Sequence, residues 1–438
     1  MRPVSALDRR GFLGALAAPA AAALAPAWLA PSAAARARAA FAGLEDHSAG
    51  ELAGLAAPWM EVSQAFSVDR SAINLNNGGV SPSPRLVQEA HKRHLDFSNQ
   101  LPSQNLWQVL DRQVEGVRQG LAETFGCDAE EVAVTRNASE SLQTCLFGFD
   151  LEAGDEVLTS DQDYPRMLTT LRQRERREGI VLRTVSLPPP EADDAEVVAR
   201  FAEAVTPRTR LMLVSHVVFL SGRVLPVREL VRLGRERDIP VVVDGAHAFA
   251  HLVFRRDDLD CDYYGTSLHK WLFAPHGTGM LYVRRERIAG LWPLMAAPDT
   301  LDDDVRKFEE IGTHPAAGYV AVAEALAFHR ALGAERKAAR LNWLRDQWVE
   351  RLSPSGRVHL ATLREPGRSG GIATVRFDGL ETRALREHLW RDHRILTTTI
   401  DHADVKGLRV SPSVYTLPEE LDRFCTAIER AFERGLPG

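Results

Sequence analysis

Lys270 is the residue from which the chemistry of this chain reads outward. It stands in Tyr263-Tyr264-Gly265-Thr266-Ser267-Leu268-His269-Lys270-Trp271, and it is one of five lysines (with Lys92, Lys307, Lys337 and Lys406) among 53 basic residues. A lysine set between a histidine and a tryptophan is a poor solvated surface charge. An amine in a partly apolar site has a lowered pKa, and its unprotonated form condenses with an aldehyde to a Schiff base. Ser267 and His269 place a hydroxyl and an imidazole beside it. The plainer alternative is a buried structural lysine. A second feature is Asp244, which closes the apolar run Val241-Val242-Val243 and is followed by Gly245, Ala246 and His247. Open parallel sheets bind ligands beyond the carboxyl ends of their strands. A carboxylate there could keep a heterocyclic nitrogen protonated; capping a helix is the alternative task for an aspartate. The third feature is the turn Thr135-Arg136-Asn137-Ala138-Ser139-Glu140. Small residues opening a helix present backbone amides and a positive dipole end to an anion such as phosphate.

These residues need a scaffold, and the pattern from about residue 130 supplies one. Short apolar runs alternate with helical periods, the mark of an α/β fold with a mostly parallel sheet. Strands are expected at 131–135, 155–159, 181–185, 210–215, 241–244 and 279–283. Asn137 should cap a helix in a capping box with Glu140, burying Leu142, Cys145, Leu146 and Phe149. An exposed basic helix is expected over 165–177, with further helices near 193–205 and 227–237. Residues 315–350 are rich in alanine and read as long helices. Short strands at 372–377 and 408–410, with helices near 382–392 and 418–434, then suggest a smaller α+β domain.

Composition narrows the function classes. The chain has 438 residues, 45% hydrophobic and 26% charged, with a formal net charge of −6. That balance offers no broad basic surface for nucleic acid. Cys127, Cys145, Cys261 and Cys425 form no close pattern, which argues against a disulfide framework or a structural zinc site. Arg2, Arg9 and Arg10 precede an uncharged, alanine-rich stretch from Gly11 to Ala30, interrupted by Pro19 and Pro26. Small residues at 32–35 suit a signal-peptidase site, and the stretch is weakly apolar for a membrane span. Asp8-Arg9-Arg10-Gly11-Phe12-Leu13-Gly14 resembles a twin-arginine export signal. The expected organisation is a leader over 1–40, an N-terminal segment over 41–75, a large domain over 76–315, and a linking helix with a small domain over 316–438. The destination expected is the periplasm or the cell exterior, with no stable membrane insertion after signal removal.

Anion turn, strand-end aspartate and His-Lys, in that chain order, resemble the class V aminotransferases among fold-type I pyridoxal-phosphate enzymes, in the isopenicillin N epimerase-like branch. The resemblance is carried by LNNGGVSPSP (75–84), TRNASESL (135–142), SDQDYP (160–165), SHVVFLSGRVLPV (215–227), VDGAHAFAHL (243–252), SLHKWLFAPHGTGMLYV (267–283), EIGTHP (310–315) and LRVSPSVYT (408–416). It implies pyridoxal 5'-phosphate as cofactor, joined to Lys270, which would also carry the substrate's Cα proton. Asp244 would pair with the ring nitrogen, His247 would lie near the ring hydroxyl, and Tyr164 would stack on the ring. Asn137, Ala138, Ser139, Ser267 and His269 would hold the phosphate. Thr313 would reach the phosphate of a neighbouring subunit, which implies a homodimer. Arg409 would bind the carboxylate of an amino-acid substrate, a task suited to a guanidinium fork.

Departures from the family pattern bear on the reaction. Cysteine desulfurases place a nucleophilic cysteine ahead of the carboxylate-binding arginine, and residues 262–424 hold no cysteine. Phe219 stands where several relatives have a polar residue, and Ser413 and Thr416 replace a histidine and an asparagine. Epimerase-like or aminotransferase chemistry is expected, with a carbon–sulfur lyase as alternative. From a different class, Asp244, His247 and His251 could instead be the ligands of a metal-dependent hydrolase.

Overall fold

The computed structural model describes residues 33–436. Its centre is a seven-stranded sheet of β1 (Val132–Thr135), β2 (Glu156–Ser160), β3 (Val181–Val185), β4 (Thr209–Ser215), β5 (Val241–Asp244), β6 (Tyr263–Ser267) and β7 (Gly279–Val283). The strand order is β1-β7-β6-β5-β4-β2-β3. Only β7 runs against its neighbours; the other pairings are parallel. Helices cover both faces, so the central strands are apolar without alternation. Every residue of β5 is buried. Because β1 and β6 both oppose β7, the carboxyl ends of β1, β2, β4, β5 and β6 share one edge. The turn at Asn137, Tyr164, Asp244 and the Ser267–Lys270 segment leave the sheet there, although up to 133 residues separate them in the chain. Ser215 lies opposite Asp244, and Asp244 opposite Gly265.

A smaller antiparallel sheet contains β8 (Val358–Leu360), β9 (Ala373–Phe377), β10 (Thr398–Asp401) and β11 (Lys406–Val410), in the order β10-β11-β9-β8. Its own core joins Val375 and Leu408 to Leu344 and Trp348 of the long helix Ala334–Leu352 and to Phe424 and Ile428 of the last helix, Pro418–Arg434. The N-terminal segment is stitched to this unit. Ile73–Asn74 pairs in parallel with Ile395–Leu396, and Asn76 bridges to Ser411. Residues 75–79 are thereby carried across to the mouth of the large sheet. Among the described residues, no helix is long and apolar enough to cross a membrane.

The sequence reading needs three corrections. Helix Pro165–Glu178 is not an exposed basic helix: Met167, Leu168, Leu171 and even Arg174 are buried. Asn137 caps its helix by accepting the Glu140 N–H, but Glu140 closes no box with it; its carboxylate takes the Arg136 amide and side chain instead. Strands β6, β8 and β10 were not foreseen. The export motif and most of the expected leader lie outside the described residues, whereas its last part is helix Ala33–Ala39, with Ala33 and Ala37 buried.

Candidate active site

A cavity of about 520 Å³ opens at the shared edge of the large sheet, with β10 and β11 of the small one as its far wall. Lys270, Asp244, His247 and Tyr164 line it, as do Asn137, Ala138, Ser139, Ser267, His269 and Arg409. Thr313 does not. It lies exposed on the segment after Glu309, away from the other site residues of the same chain.

The floor is built by strand ends. Lys270 Nζ lies 3.2 Å from His247 Nε2. Burial pulls the amine down to about 8, opposed by the nearby Asp244. Burial likewise pushes Asp244 up to about 6; the Ala246 N–H and Lys270 work against that shift, and buried Asp163 adds to it. Asp244 Oδ1 accepts the Ala246 N–H at 2.9 Å, so the aspartate does cap its own turn, while Oδ2 remains available. His247 is buried, its Nδ1 has no partner, and burial beside Lys270 holds its pKa well below the usual range. Gly245 is obligatory, because a Cβ there would fall 1.9 Å from the Tyr264 ring.

One end of the cavity suits a phosphate. First-turn amides of a helix have no intrahelical acceptor, and helix Ala138–Gly148 points its first turn into the cavity. Ala138 N–H donates to Ser267 Oγ at 2.9 Å, tying this turn to the strand that leads to Lys270. Gly279 permits the approach, since a Cβ would meet the Asn137 backbone at 2.6 Å. His269 sets Nδ1 3.2 Å from Thr278 O, and burial lowers its pKa to about 4. Opposite, Tyr164 caps helix Pro165–Glu178, with its ring edge-on to Phe219 at 5.4 Å. Beneath it, Asp163 accepts from Thr159 Oγ1, Ser160 N and Ser160 Oγ on one oxygen and from Ser215 Oγ on the other, pinning the end of β2 to that of β4.

Arg409 comes from β11, with Thr398 and Thr374 on either side. Its Nη1 donates to Phe219 O at 2.9 Å and its Nη2 to Asn76 Oδ1 at 3.1 Å, while Nε has no partner. Burial lowers its pKa to about 10. Asn76, Asp163, Ser215 and Thr398–Ile400 were not singled out from sequence. Asn76 and Asp163 lie inside quoted motifs and could have been found there; the threonines of β10 give no such signal. Ser413 and Thr416 hydrogen-bond each other across a turn and lie outside the cavity lining. His251 does not join Asp244 and His247 as a metal ligand. Its Nδ1 is 2.7 Å from His247 O, and its Nε2 accepts Gly371 N–H at 2.7 Å, so both ring nitrogens are engaged.

The aminotransferase class-V family model matches residues 73–424, from the N-terminal crossing segment into the first half of the last helix. The chain belongs to the aminotransferase class-V family. Isopenicillin N epimerase of Streptomyces clavuligerus is 33% identical over 398 residues, 85% of this chain and 98% of the relative. A probable cysteine desulfurase of Vibrio cholerae is 24% identical over 385 residues, 82% of this chain and 94% of the relative. Among solved structures, C-DES, a cystine C–S lyase, in a mutant form with glycine covalently linked to its PLP cofactor, has a TM-score of 0.75 at 24% identity, covering 83% of this chain and 97% of that one. This class-V enzyme uses pyridoxal 5'-phosphate, and the residues present fit it. A depressed buried amine stands at Lys270, an available carboxylate oxygen at Asp244, and an unpartnered buried nitrogen at His247. Among the described residues, no cysteine lines the cavity. Cys425, the one beyond Arg409 in sequence, is buried in the small-domain core, which pushes its thiol up to about 12.

Proposed function

We propose that this class-V enzyme is an epimerase acting at Cα of an amino acid or an amino-acid-containing small molecule, working as a homodimer after export by a twin-arginine route. Bound pyridoxal phosphate supplies an electron sink that lowers the barrier to loss of the Cα proton. Every other part of the chemistry belongs to the chain. Asp244 keeps the ring nitrogen charged, and the first turn of helix Ala138–Gly148 with Ser267 and His269 holds the phosphate. Arg409 takes the substrate carboxylate and so orients Cα. Lys270, its amine drawn toward neutrality by burial, is matched to removing the Cα proton from one face near pH 8, and inversion requires a proton delivered to Cα from the opposite face. Tyr164 covers the opposite side of the cavity.

The observation that carries this reading is the single cavity holding Lys270 within 3.2 Å of His247, with Asp244 and Arg409 also lining it. Desulfuration through a protein persulfide needs an accessible thiolate, and no described cysteine offers one. Higher identity to the epimerase than to the desulfurase supports the choice. The exposed position of Thr313 fits a contact with a second subunit, and the motif at residues 8–14 supports export. Incubating the holoenzyme with a panel of L- and D-amino acids and short peptides in deuterated water tests the reaction. Deuterium at Cα with loss of chirality and no keto acid is the expected result. Keto acid would instead assign an aminotransferase, and β-elimination products a carbon–sulfur lyase.

A further inference from the structure

A second lysine lies behind the first. Lys337, on helix Ala334–Leu352, is fully buried. Its amine stands 4.1 Å from the centroid of the Phe273 ring and 3.5 Å from His329 Nδ1. It forms no ion pair with a described carboxylate; its Nζ donates to the carbonyl of Trp271, the residue that follows Lys270. Burying an amine away from any anion is costly, and an apolar side chain of equal length would fill the same space at less cost. A lysine retained there, in a chain with four others, is held by what its donor does.

The segment it grips needs holding. Phe273 adopts φ +64°, a left-handed conformation rare for a bulky residue, which persists where surrounding contacts over-determine it. Trp271 is itself clamped from its other side. Its indole stacks on His251, with centroids 3.8 Å apart and planes at 13°. Because His251 Nε2 accepts the Gly371 N–H, Nδ1 carries the ring proton and donates to His247 O. His247 Nε2 then returns to Lys270 Nζ. The catalytic amine thus sits in a closed path through Trp271, His251 and His247, and Lys337 holds the Trp271–Leu272 peptide, which leaves that path one residue beyond Lys270.

We propose that Lys337 is a positioning residue, whose buried amine fixes the Trp271 carbonyl and thereby the direction in which Lys270 presents Nζ. The role is independent of which reaction follows at Cα. It is tested on the reconstituted holoenzyme without substrate, by the pH midpoint of the visible absorbance band and by the rate at which hydroxylamine captures the cofactor aldehyde as an oxime, freeing the Lys270 amine. Lys337→Met keeps the stem and removes the donor. Lys337→Gln keeps an N–H one bond too short to reach unless the carbonyl moves. Both should displace the midpoint, Met by about half a pH unit or more and Gln by less, and both should speed release several-fold. A folded variant with a lowered Tm but the wild-type midpoint and release rate would overturn the proposal, because a space-filling lysine alters stability alone. Failure of both variants to fold would also overturn it, by assigning Lys337 to the core.

Discussion

The floor and the far wall of the cavity are built on different principles. Asp244, Ser267 and Lys270 hang from adjacent strands of one buried sheet, and their spacing is set by β-ladder register. Arg409, Asn76 and Phe219 meet from three segments, joined by two side-chain hydrogen bonds across sequence separations of 190 and 333 residues. Packed interiors resist displacement, whereas a wall on a second domain moves with that domain. The floor suits the part of the chemistry common to every substrate, and the wall the part that selects among them. Substitutions on the floor should therefore abolish cofactor chemistry, and those on the wall should change substrate affinity.

Lys270→Ala is the hardest test of that division. Borohydride reduction followed by peptide mass spectrometry should find the cofactor adduct on Lys270 in the wild type and on no residue in the variant. Turnover should fall by roughly 10⁴-fold. An adduct on Lys337 or Lys307 would move the active site and dissolve the comparison.

Asp244→Asn comes next, with turnover reduced roughly 10²–10³-fold, as for loss of a preorganised electrostatic partner. Its stability effect has the opposite sign. In the folded apoprotein Asp244 is pushed up to about 6. The folded state therefore binds the proton more tightly than the unfolded chain does, and stability is lost as pH rises from the ordinary carboxylate range through about 6. At pH 8 the variant apoprotein should melt no lower than the wild type, and near pH 4 that advantage should vanish. Melting curves at the two pH values decide it; a variant less stable at pH 8 would show that the charge is compensated in the apoprotein.

The division also explains what the sequence disclosed. Asp244, Lys270 and the Asn137 turn are local signals: an apolar run ending in a carboxylate, a lysine among aromatics, small residues opening a helix. Each survives in a window of ten residues, so the chemical groups of the floor and the α/β architecture could be read from sequence, whereas strand β6 (Tyr263–Ser267), with Gly265, Thr266 and Ser267 in place of an apolar run, could not. Tyr164, Thr313 and Arg409 came through family resemblance, and the fold leaves Thr313 apart from the rest. The wall escaped because its contacts are not local. Asn76 reaches Arg409 only because Ile73–Asn74 pairs with Ile395–Leu396, and Phe219 contributes its carbonyl, for which residue type is no guide. Strand β10 (Thr398–Asp401) is short and threonine-rich, with neither alternation nor an apolar run to mark it. Buried Lys337 looked like any other lysine in a helix.

On the wall itself, Arg409→Gln should raise KM for a substrate carboxylate roughly 30-fold or more and leave cofactor content unchanged. Equilibrium binding of the cofactor, measured by absorbance titration, separates this from a floor defect. A variant that lost cofactor together with substrate would tie the two regions into one unit.

Asn76 allows the finest distinction. Arg409 spends one N–H on Phe219 O and one on Asn76 Oδ1, leaving the Nε–H and one hydrogen on each Nη, a set from which a fork to a carboxylate can be drawn. Asn76 on this view is an anchor and not a competitor, so removing it should loosen the fork. One neutral hydrogen bond is worth about 0.5–1.5 kcal/mol, and Asn76→Ala should raise KM only about 2–10-fold at unchanged kcat. Asn76→Asp is the sharper variant, because an anion beside the guanidinium satisfies the charge that the substrate is meant to meet, and it should raise KM further than alanine does. The order wild type, alanine, aspartate in KM supports the anchor; aspartate binding substrate better than alanine would mean that Arg409 does not receive the carboxylate.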